Sequence, residues 1–77
     1  MEKIEELRNL IAKTWERERT DLDESVLKER IDNCILFVEE SVDSEELIVE
    51  FITYLKETPK TTTNQIYAIA HNLGSEE

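Results

Sequence analysis

A chain of 77 residues forms one domain with a small core, because a polypeptide this short buries only about 60% of the surface its unfolded form exposes. Nineteen acidic against nine basic side chains leave a formal charge of -10, which opposes contact with nucleic-acid phosphates and anionic membranes, since both select clustered Lys and Arg. One Cys and one His exclude an intramolecular disulfide and a metal-ligand cluster of ordinary spacing.

The first predicted helix covers residues 2–19. Ile4, Leu7, Leu10, Ile11 and Trp15 recur there at spacings of three and four, which puts them on one helical stripe. Glu5 and Glu6 stand early and Arg17 and Arg19 late, the polarity a helix macrodipole favours. Residues 20–23 form a connection in which Asp21 or Asp23 is placed to cap the next helix.

The second helix carries Leu27, Ile31, Cys34, Ile35, Val38 and Val42. Within it, residues 34–38 are all apolar, a run that also fits a buried strand. The flanking polar residues keep the helical period, so the expectation is a helix buried nearly all round. Asp43, followed three residues later by Glu46, has the form of a capping box, and Leu47, Ile48, Phe51, Ile52 and Leu55 make the third stripe. Pro59 ends this helix near residue 57 by disfavouring helical geometry in the residue before it.

Thr62 and Gln65 repeat the capping-box pattern. Ile66, Ile69, Ala70 and Leu73 form a short last stripe, ending at Gly74 as a left-handed C-cap. The expected fold is therefore all-α: residues 1–74 form a single acidic bundle of about four helices and 75–77 a frayed tail. A three-helix core with a short packed C-terminal helix is the alternative. A hydrophobic fraction of 39% with this charge also suits a disordered chain, but the apolar residues here are periodic.

Residues 1–6 lack a basic segment followed by an apolar core, and no apolar run approaches the roughly 18 residues of a membrane span, so neither a leader nor a membrane location is expected. A single thiol fits a reducing compartment, and the expected location is cytoplasmic.

Between Ile31 and Leu55 stand seven acids, Asp32, Glu39, Glu40, Asp43, Glu45, Glu46 and Glu50, and no Lys or Arg. Such a cluster projects a field that steers a basic partner; the plainer reading is a solvated face with Glu near helix N-termini. Adjacent carboxylates such as Glu39 and Glu40 point about 100° apart on a helix, so they do not make an acid-base pair, and no calcium-loop pattern occurs. Cys34 sits on an apolar stripe, where a thiol acts as a small hydrophobe, while His71 falls on the opposite side of its helix from the stripe. No catalytic residue, cofactor or metal is expected, and the chain is not expected to be an enzyme.

Trp15 is either a core residue or an interface anchor, and Phe37 and Tyr67, just off their stripes, are candidates for an exposed apolar patch. The expected function is a small protein-binding module, an inhibitor, immunity or regulatory protein that occludes a basic surface. Small bacterial or phage-encoded proteins of that kind share its size and charge. Its partner-binding residues would be Glu39, Glu40, Asp43, Glu45, Glu46, Glu50, Trp15 and Tyr67. A structural homo-oligomer is a further alternative, because a core this small rarely leaves more than about 3–5 kcal/mol of net stability.

The stretch from Phe37 to Ser44, with Leu47 to Leu55 and Thr61-Thr62-Thr63 after it, resembles an acyl carrier protein. That resemblance implies a short acidic four-helix domain with phosphopantetheine on Ser44, beside Asp43. The sequence departs from the family at Glu45, where an apolar residue is usual, in lacking a Gly before Asp43, and in the short interval from Ser44 to Pro59. Residues 65–74 resemble the first helix of a helix-turn-helix, but no recognition helix follows and the charge is wrong for DNA.

Overall fold

The computed structural model describes residues 2–75, with side chains over 3–74. Four helices and no strand are present among the described residues: α1 (Glu2–Glu18), α2 (Glu24–Ser41), α3 (Glu45–Glu57) and α4 (Thr63–Ser75). The apolar run at 34–38 is thus helical. Of the tail expected at 75–77, Ser75 closes α4 and the rest lies outside the described residues.

The stripes converge on one core. Leu7, Ile11 and Trp15 from α1 meet Cys34, Ile35 and Val38 from α2, Ile48, Phe51, Ile52 and Leu55 from α3, and Ile66 and Ala70 from α4, with Val42 at the α2–α3 junction. Because Ile66 and Ala70 are fully buried, α4 is a full member of this core and not an addition to three helices. A radius of gyration of 11.8 Å matches the roughly 11–12 Å expected for a folded chain of this length.

Helix pairing does not follow chain order. The most extensive contacts join α1 to α3 and α2 to α4, whereas α2 and α3, joined by three residues, do not pack on each other. The join at Val42 is a corner and not the hairpin that a short connection favours. Val42 makes this possible by turning its side chain into the core, where it is fully buried.

Contacts between helix ends fix the directions. Glu18 accepts a hydrogen bond from the Thr63 amide at 2.8 Å, joining the end of α1 to the start of α4, and the ends of α2 and α4 meet where Gly74 lies against the Ser41 backbone. A carboxylate at a helix N-terminus satisfies a free amide and complements the dipole. Arg17 reinforces the same corner by donating to the carbonyls of Pro59 and Thr61, the latter at 2.5 Å. Thr58 and Thr61 tighten the loop between α3 and α4 through a hydroxyl contact of 2.8 Å and the Thr61 hydroxyl bond to the Thr58 carbonyl at 2.7 Å.

Local signals fared unevenly. The capping box at Thr62 and Gln65 forms: the Gln65 amide donates to the Thr62 hydroxyl at 3.2 Å and the Thr62 amide to Gln65 Oε1 at 2.8 Å. The box expected at Asp43 and Glu46 does not. The first α3 bond runs from the Ile48 amide to the Ser44 carbonyl, so Ser44 is the N-cap, without a side-chain capping bond, and Leu47 occupies the third position. Asp23 holds the N-cap of α2, also without a side-chain bond, while Asp21 instead pairs with Arg19 at 3.2 Å.

Gly74 corrects a further expectation. Among the described residues none has a positive φ, so Gly74 is not a left-handed cap but lies within α4, where a Cβ would stand 3.2 Å from the Ser41 carbonyl carbon and closer still to its oxygen. Its role is to let two helix ends touch. Leu36 corrects another: it is 56% exposed, so α2 is not buried all round, because the core reaches only the Cys34, Ile35 and Val38 side of the run.

Candidate functional site

Charge is segregated on this fold. The cations lie on α1 and at its end, on the first half of α2, and at Lys56 and Lys60, leaving the chain between Ile31 and Leu55 without one. All seven acids of that segment are exposed. Among the described residues, one of them is ion-paired, Glu39 with Arg8 at 3.3 Å. Glu39 and Glu40 stand in the last turns of α2, Asp43 on the corner, and Glu45, Glu46 and Glu50 on α3.

Other cations are engaged away from this segment. Lys56 pairs with Glu6 at 2.5 Å, and this hydrogen bond and charge hold the Glu6 carboxyl below its ordinary range. Arg19 does the same for Asp21. Apart from Glu39, the carboxylates between Ile31 and Leu55 have no ion pair among the described residues, and they are screened mainly by solvent and salt.

The aromatic candidates divide. Trp15 is 6% exposed and packed in the core, so it does not stand at the surface as an anchor; the reason is that the α1 stripe on which it lies is covered by the other helices. Phe37 and Tyr67 are half-buried and tilted against one another, with ring centroids 5.1 Å apart. This geometry seals the seam between α2 and α4 and does not leave an open patch.

Beneath that pair, burial pushes the Cys34 thiol up, with the Trp15 and Tyr67 side chains beside the sulfur acting in the opposite sense. The Trp15 indole N–H is buried without a full hydrogen bond. Cys34 is fully buried, and His71 is exposed on α4. Ser44 is half-buried and forms the N-cap of α3, three residues after the end of α2.

The exposed apolar side chains that sequence reasoning missed lie elsewhere. Tyr54 is 43% exposed and forms one wall of a groove of about 320 Å³ between α3 and α4, lined also by Glu50, Phe51, Ile69 and Leu73. Tyr54 stands three residues after Phe51 and seven after Leu47, at the edge of the α3 stripe, and that spacing was the available signal. A larger open groove, about 740 Å³, lies where α1 turns into α2, between Glu16, Asp23, Glu24, Leu27, Lys28 and Ile31. Among the described residues, no helix is long and apolar enough to cross a membrane. Compared with known proteins, the chain matches no family model, no curated protein and no solved structure.

Proposed function

We propose that this chain is a protein-binding module, an inhibitor or regulator that covers a basic surface on a macromolecular partner. The observation that carries the reading is the exposure of seven carboxylates between Ile31 and Leu55 with one internal ion pair among them. Repulsion among so many uncompensated carboxylates opposes folding, and a cationic partner relieves it while being steered toward them. The single buried thiol fits a reducing, cytoplasmic setting.

The test reverses Glu45, Glu46 and Glu50 to Lys and compares capture of a partner from the source cells by the two proteins, at low and high salt. Capture that weakens with salt and disappears in the variant, with helicity unchanged by circular dichroism, is the expected result. Equal capture by both proteins overturns the reading, and light scattering that shows a stable homo-oligomer favours a structural role in its place.

A further inference from the structure

The α3–α4 contact is the least extensive of the helix pairings, and the groove left there has a floor and a wall of different character. Ile69 and Leu73, both half-buried, make it apolar, with the fully buried Phe51 beneath them. Ile69 and Leu73 lie one turn apart on α4. On α3, Glu46, Glu50, Tyr54 and Glu57 follow one another at spacings of four, four and three, which aligns them as one ridge beside the groove. The α3 rim is thus acidic with one aromatic in it. The matching outer positions of α4, Gln65 and Asn72, are neutral.

We infer that this groove receives one face of a cationic amphipathic helix from the partner, with aliphatic side chains at i and i+4 seated on Ile69 and Leu73 and flanking Lys or Arg along Glu46, Glu50 and Glu57. The inference rests on the protein-binding reading above and specifies the partner's binding element. Helix-in-groove docking supplies apolar anchors one turn apart, and Tyr54 is the kind of rigid, half-exposed side chain that concentrates binding energy. A second copy of this chain is a poor occupant, because it would bring an acidic ridge against an acidic ridge.

The probe is an 18-residue model peptide of Leu and Lys written with a helical apolar stripe, compared with a scrambled peptide of identical composition. Binding is followed by amide chemical shifts of the isotopically labelled protein, for the parent and for Tyr54→Ser, a substitution at an exposed site. The expected result is that the striped peptide binds about tenfold more tightly than the scrambled one, moves the resonances of Phe51, Tyr54, Ile69 and Leu73, and loses about five- to tenfold in affinity in Y54S. Equal binding of both peptides, with shifts confined to residues 39–46, overturns the groove while leaving the acidic face as a binding surface. Binding of neither peptide overturns both. Groove resonances that move with protein concentration alone assign the site to a second copy and also overturn the inference.

Discussion

Gly74 and Ser41 bring the ends of α4 and α2 together so closely that a single added methyl group at Gly74 collides with the Ser41 carbonyl. In an open helix, Gly→Ala stabilises by up to about 1 kcal/mol. Here the sign reverses. Gly74→Ala is expected to destabilise by about 1–3 kcal/mol, the range for forcing extra volume into a close contact, and urea unfolding followed by circular dichroism reads it directly. A gain in stability would show that the two helix ends do not touch in solution.

Two capping signals look alike in sequence and differ in the fold, which gives a paired comparison. Thr62→Ala removes the hydroxyl that accepts the Gln65 amide and should cost about 1 kcal/mol. Asp43→Ala removes an exposed side chain that is not at the N-cap and should stay within about 0.5 kcal/mol. Equal losses in the two variants would return Asp43 to the capping role.

Phe51 is fully buried at the meeting of all four helices, while Leu36 is 56% exposed. Truncating a buried Phe costs about 3–5 kcal/mol, which is comparable with the whole stability of a domain this small. Phe51→Ala should therefore lose most helical signal at room temperature. Leu36→Ala should change stability by less than about 0.5 kcal/mol, although Leu36 lies in the longer apolar run.

Stability should fall on the alkaline side of the pH range, and only shallowly on the acid side, where losing two exposed ion pairs is set against relief of carboxylate repulsion. Glu6 and Asp21 have folded values below their ordinary ones, so their contribution is present above the ordinary carboxylate range and is lost as pH falls through the lowered values. Cys34 and Tyr67 have raised values, so theirs is present below the ordinary thiol and phenol ranges and is lost as pH rises beyond them. Melting temperature against pH should show the alkaline limb, flattened in Cys34→Ala, while Glu6→Gln should change the acid side only slightly because its ion pair is exposed. The native thiol should also resist a thiol reagent until the chain is unfolded, since Cys34 is fully buried.

The number and placement of the helices were legible in the sequence because their signals are local. Apolar residues at spacings of three and four mark each stripe, Pro59 stops α3, and Thr62 with Gln65 closes a box inside four residues. The exposed acids were legible for the same reason, since a segment without cations needs no tertiary information to be noticed. Less was legible at Asp43, where the helix begins one residue later than the box requires.

What only the tertiary structure decided are relationships between residues far apart in the chain. Periodicity states that a face is apolar but not which helix covers it. The pairing of α1 with α3 and of α2 with α4 therefore had to come from the fit of side chains into one core. That fit buries Trp15, exposes Leu36 and joins Phe37 to Tyr67. It also gives Gly74 a packing role where a cap was expected, and it opens a groove beside Tyr54 because α3 and α4 meet less closely than their neighbours. Packing is decided by volumes meeting in three dimensions, and a one-dimensional pattern does not carry that information.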